Sequence, residues 1–132
     1  MNQISNDHFN EQLRNRTLKM SAGIRNLLVR LKIKPIDRPN VLQLNRSASS
    51  VAANYRAATR GRSDAEYYSK ICIVVEEVDE PQFWLDYLIE INLIRKEETL
   101  NLLDEVTQLV RLFSTIKRKM KEKIEGSAGR RL

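Results

Sequence analysis

A chain of 132 residues has the length of one domain. Its 42% hydrophobic and 30% charged content is that of a folded protein and excludes a disordered tail. The net charge of +6 is unevenly spread. Residues 1–63 hold twelve basic and three acidic residues (+9), residues 64–105 hold three and twelve (−9), and residues 106–132 hold eight and two (+6).

In chain order, the start (MNQISNDHFNEQ) has neither the basic opening nor the apolar run of a secretory leader. Helical spacing begins with Leu13, Met20, Ile24, Leu27, Leu28 and Leu31, which recur at three- and four-residue steps and predict a first helix over about 10–34. Pro35 and Pro39 break this pattern, with Asp37 as a cap and Pro39 in the first turn of a second helix over about 39–60. Gly61 is expected to end it in a left-handed conformation. Ser63-Asp64-Ala65-Glu66 is a capping box that opens a third helix over about 64–92.

The third helix carries Tyr67, Ile71, Val74, Val78, Leu85 and Leu88 on one stripe. Pro81 predicts a kink and not a stop, because the pattern resumes directly after it. The fourth helix, over about 96–124, uses Leu100, Leu103, Val106, Val110, Phe113, Met120 and Ile124, and residues 126–132 have the composition of a flexible tail. Four helices joined by short turns predict an all-α fold: a single-domain antiparallel up-and-down four-helix bundle.

The second helix has a second side. Opposite its core stripe of Val41, Leu44, Ala48, Val51 and Tyr55 fall Ser50, Ala53 and Ala57, flanked by Arg46, Arg56 and Arg60. Small residues at this spacing let another helix approach closely, although an alanine-rich solvent face that merely favours helix is the plainer reading. On the third helix Ile73, Trp84, Tyr87 and Ile91 lie opposite the core stripe, interleaved with Glu76, Glu77 and Glu80. Two helices with two stripes each suggest self-association through Arg46, Ser50, Ala53, Arg56, Ala57, Ile73, Glu76, Glu77, Glu80 and Trp84. The arginines would pair with those carboxylates on the next helix or the next subunit.

Little supports catalysis. His8 is the only histidine, no phosphate-binding loop or cysteine pair occurs, and the carboxylates Glu76, Glu77, Asp79 and Glu80 lack the Glu-x-x-His partners of a di-iron bundle. The sequence therefore predicts no enzyme, no metal and no cofactor. No apolar run approaches about 18 residues, so no membrane span is expected. The lone Cys72, within an apolar run, fits the core of a cytoplasmic protein. Nucleic acid is the open possibility. Lys117, Arg118, Lys119, Lys121 and Lys123 form a basic run at a helix C-terminus, joined as candidate phosphate contacts by Arg60, Arg62 and Arg111. The alternative is that these charges only complement the helix dipole and the acidic middle of the chain.

The stretch RSASSVAANYRAATRGRSDAEYYSKICIVVEEVDEPQFWLDYL (residues 46–88) resembles the bacterial four-helix bundle family of ribosomal-RNA intervening-sequence proteins. The likeness rests on Arg46-Ser47, Ser50 to Ala57, Arg62-Ser63, Glu76-Glu77, Asp79-Glu80 and Trp84-Leu85, while Pro81 departs from an otherwise unbroken helix. The resemblance implies a ring-like homopentamer and a suspected role in nucleic-acid binding or scaffolding. More distantly, the chain is similar to accessory proteins of diversity-generating retroelements. That resemblance implies an alternative role as an accessory subunit docking a reverse transcriptase, and the basic faces themselves offer another, a protein scaffold docking an acidic partner.

Overall fold

The computed structural model describes residues 7–130. Four helices, α1 (Asp7–Leu28), α2 (Arg38–Ala58), α3 (Asp64–Glu90) and α4 (Lys96–Arg130), run up and down, with a short 3-10 turn at Pro35–Asp37. Each helix packs on its neighbour in sequence, α1 meets α4 along a shorter seam, and the backbones of the diagonal pairs stay apart. The predicted all-α bundle is thus observed.

The core is the set of stripes read from the periodicity. Leu13, Met20, Ile24, Leu27 and Leu28 of α1, Val41, Leu44, Ala48, Val51 and Tyr55 of α2, and Ile71, Val74, Val78, Leu85 and Leu88 of α3 are all buried. Thr17 fills the gap between Leu13 and Met20, its hydroxyl donating to the Leu13 carbonyl at 3.0 Å. Among the described residues no buried side-chain nitrogen or oxygen lacks a partner. At Gly23 a Cβ atom would lie 2.9 Å from the Leu102 side chain, so α1 and α4 approach most easily where this side chain is absent. Arg16 then ties the same two helices, donating through Nε to Glu105 at 3.1 Å.

The ends of the elements differ from the sequence expectation for local reasons. α1 stops at Leu28 because the next turn tightens, with Leu31 N–H donating to the Leu28 carbonyl at 3.2 Å. Lys34, held extended ahead of Pro35, keeps the chain from resuming the helix at once. Leu31 and Ile33 instead fold back onto the core. Asp37 occupies the cap position of α2 without a side-chain capping bond. Gly61 is not left-handed: α2 closes with three-residue bonds from Arg60 to Ala57 and from Gly61 to Ala58, both 3.1 Å. The left-handed residue is Asn92 (φ 62°), after α3. There Leu93 N–H reaches the Leu88 carbonyl and Asn92 N–H the Ile89 carbonyl, a Schellman closure.

α3 starts where the capping box places it. Ser63 Oγ accepts from Glu66 N–H at 3.1 Å, and Glu66 returns a carboxylate oxygen to Arg62 N–H at 2.6 Å. Ser63→Ala should lower stability by about 1 kcal/mol in urea titration, since it leaves a first-turn amide without its acceptor; no change would show that the Glu66 carboxylate alone holds the turn. The helix continues through Pro81, whose ring is buried. In α4 Leu100 is 52% exposed, contrary to its assignment to the core stripe. Thr99 and Leu109 take buried positions instead, because the inward face of α4 starts one residue earlier. α4 also stays helical through Gly126 to Arg130, where a tail was expected from 126; residues 131–132 lie outside the described range.

Candidate nucleic-acid interface and outer helix face

α4 is the longest helix, and its C-terminal part continues past the start of α1. Phe9, in the first turn of α1, lines a groove with Leu112, Ile116, Lys119, Met120 and Lys123 of α4. The groove is about 680 Å³ and lies at the end of the bundle, bordered also by the α2–α3 turn. Its apolar wall includes Phe9, Tyr67, Ile116 and Met120, and its cations are Arg62, Lys119 and Lys123. Lys123 is engaged by Asp64 at 2.9 Å. Arg62 and Lys119 make no ion pair among the described residues.

A second groove, about 640 Å³, runs between α1 and α2 over Ser49, Ala52 and Ala53, edged by Arg14, Arg56 and Arg60. Thr59 lines both grooves. The two grooves together hold six cations, against the two carboxylates of Glu11 and Asp64. In this way Arg62, Lys119 and Lys123 come together from the α2–α3 turn and α4, while Arg60, also of the turn, lines the other groove. Arg111 and Arg118, two turns apart on the exposed outward side of α4, stand outside the grooves, as do Lys117 and Lys121. Lys121 lies 4.0 Å from Glu125.

Beneath these grooves the polar core is closed. Tyr55 donates its hydroxyl to Asn10 Oδ1 at 3.1 Å and adjoins the Tyr67 hydroxyl. Burial pushes both phenols above their ordinary value of 10.0. Phe9, Asn10, Arg14 and the α4 apolar residues of the grooves were not among the sequence candidates. Phe9 stands four residues before Leu13, a helical spacing that could have drawn attention to it.

The residues assigned to self-association lie together on the outer face of α2 and α3. Arg46, Ala53, Arg56, Ala57, Ile73, Glu76 and Glu80 are exposed, and Ser50, Glu77 and Trp84 are half-buried. Phe83, missed in the sequence and 56% exposed, stacks edge-on against Trp84 at 4.9 Å and lies 6.2 Å from Tyr87. Glu77 accepts from Asn54 at 2.7 Å. Within the chain, however, Arg46 and Arg56 pair with none of Glu76, Glu77 and Glu80. The pairing of α2 arginines with the next helix is therefore not made in the single chain. Among the described residues no group of three or more His, Cys, Asp or Glu is placed to hold a metal ion, and no helix is long and apolar enough to cross a membrane. Cys72 is half-buried, beside Tyr68, and not in the core.

The family model described as 23S rRNA-intervening sequence protein matches residues 37–115. A crystal structure of a protein with unknown function from the S23 ribosomal protein family of Bacteroides thetaiotaomicron is similar over 79% of this chain and 96% of its own. The identity is 27% and the TM-score 0.71. No curated protein matches the chain.

Proposed function

Because the chain belongs to the 23S rRNA-intervening sequence protein family, we propose that it is a non-enzymatic homo-oligomer that binds RNA or DNA through phosphate contacts at the end of the bundle. The observation that carries this reading is the cationic lining of two adjoining grooves by Arg14, Arg60, Arg62, Lys119 and Lys123. Cations spread along a groove match the regular charge of a phosphodiester backbone better than any single anionic ligand. The C-terminal part of α4 adds Lys117, Arg118 and Lys121, with Arg111 two turns back. A cytoplasmic setting, where RNA is plentiful and Cys72 stays reduced, goes with this reading.

Assembly uses the other face. Arg46 and Arg56 of one protomer meet Glu76 or Glu80 of the next, while Ser50, Ala53 and Ala57 admit the Phe83–Trp84–Tyr87 cluster. The unpaired arginines and the exposed rings support this arrangement, and five protomers in a ring is the count that the family likeness implies. Such pairs set register more than they add stability.

A fluorescence-anisotropy titration of labelled RNA and DNA against salt tests the nucleic-acid reading. Affinity should fall steeply with salt and depend little on sequence. The triple variant Arg118→Gln/Lys119→Gln/Lys121→Gln should reduce the log–log salt slope by about 2. Absence of binding to either nucleic acid at low salt would overturn the proposal.

A further inference from the structure

We propose that the end groove selects single-stranded nucleic acid, seating one unstacked base against Phe9 and Tyr67 while the adjoining phosphates meet Arg62 and Lys119. This rests on the nucleic-acid reading above and adds the kind of strand. In sequence the aromatic and basic residues are far apart: Phe9 opens α1, Tyr67 lies in the first turns of α3, and Lys119 is near the end of α4. The fold brings them to one groove.

Phe9 is 42% exposed, and no other ring stacks on it among the described residues. An aromatic face left open beside two cations without ion pairs offers both halves of a nucleotide site: a stacking surface for the base and positive charge for its phosphates. Asp64, the acidic residue of the groove, is already held by Lys123. The one acidic side chain among the described residues lining the groove is thereby compensated.

A duplex would use only half of this site. Its bases stay paired and stacked, so its phosphates could follow the cations while Phe9, Ile116 and Met120 remained uncovered. A single strand covers both the charge and the apolar wall. Thr59 also lines the groove between α1 and α2, so a strand leaving the end groove meets Arg60 next. Single-strand sites take about 4–16 nucleotides.

The test uses the full chain and labelled RNA of about 12 nucleotides, free or annealed to its complement. Wild type, Phe9→Ala and Phe9→Leu are titrated at one salt concentration, with helical content checked by circular dichroism. The free strand should bind more tightly than the duplex. Phe9→Ala should weaken the free strand by roughly tenfold, within what one stacked base contributes, and leave the duplex unchanged. Phe9→Leu, which keeps an apolar side chain but removes the flat ring, should weaken it in the same direction. Equal affinities for both forms, or a free-strand affinity insensitive to Phe9, would overturn the inference and leave the electrostatic reading standing. Displacement of the RNA by poly-glutamate at lower concentration than by unlabelled RNA would also overturn it, in favour of an acidic protein. Failure of both RNA forms to bind would overturn both readings.

Discussion

Tyr55→Ala should lower the free energy of unfolding by about 4 kcal/mol, a large part of the roughly 5–15 kcal/mol that holds a domain folded. Tyr55 is 0% exposed, and its ring lies 5.3 Å from that of Phe113 at an angle of 54°. Its hydroxyl reaches Asn10 of α1 and adjoins Tyr67 of α3, so one side chain of α2 touches all three other helices. Truncation opens a cavity where four rigid helices converge and cannot easily collapse into it. Urea titration at unchanged m-value reads the loss; a drop below about 1 kcal/mol would mean that the helices close over the gap. The same burial gives a signature in pH. Both phenols are held protonated above their ordinary value of 10.0, chiefly by desolvation. Their contribution is complete below about pH 10. It is lost as pH rises beyond, because the unfolded chain releases protons that the folded one retains.

The second large effect is on assembly. Ala53→Glu should convert the proposed oligomer to monomer at micromolar concentration while leaving helical content unchanged. Ala53 sits on the exposed side of α2, in the floor of the groove edged by Arg56, so a longer side chain there disturbs no core contact. At an interface with the acidic face of α3 it would add bulk where close approach is needed and a carboxylate facing Glu76 and Glu80. Burying such a charge without a partner costs about 3–5 kcal/mol, enough to dissociate an interface of ordinary strength. Light scattering coupled to gel filtration measures the mass. Ala53→Ser, similar in size to the neighbouring Ser50, should remain assembled. A wild-type monomer would remove the basis for the two-sided reading of α2 and α3.

How far the sequence could be read depends on the range of the signal. The stripes of α1, α2 and α3 were legible because a buried helix face repeats every three or four residues, and Val41 to Tyr55 carry that period without interruption. The start of α3 was legible because Ser63 and Glu66 act within one turn. Gly61 misled, since glycine is permitted a left-handed conformation without being required to take it; here the turn used three-residue bonds, and the left-handed site fell to Asn92. Leu100 misled because an apolar residue in the first turn of α4 can fall on either side of a stripe until the packing partner is known. The end groove was not legible at all. Its aromatics and cations do not stand in one run; they are assembled from helices at opposite ends of the chain.

Pro81 and the Asn54–Glu77 bond together have a mechanical consequence. Proline has no amide hydrogen, so the carbonyl of Glu77, one turn earlier, loses its helical donor. The side chain of that same residue is the one fastened to α2, at 2.7 Å. The place where α3 is weakest along its own axis is therefore a place where it is clamped from the side. A bend of α3 at this point would therefore fall on the segment beyond the clamp, which bears Phe83, Trp84 and Tyr87. In a closed ring each protomer must turn its two contact edges through a fixed angle. A helix pinned at one point and compliant past it can take up small errors in that angle without loosening the core.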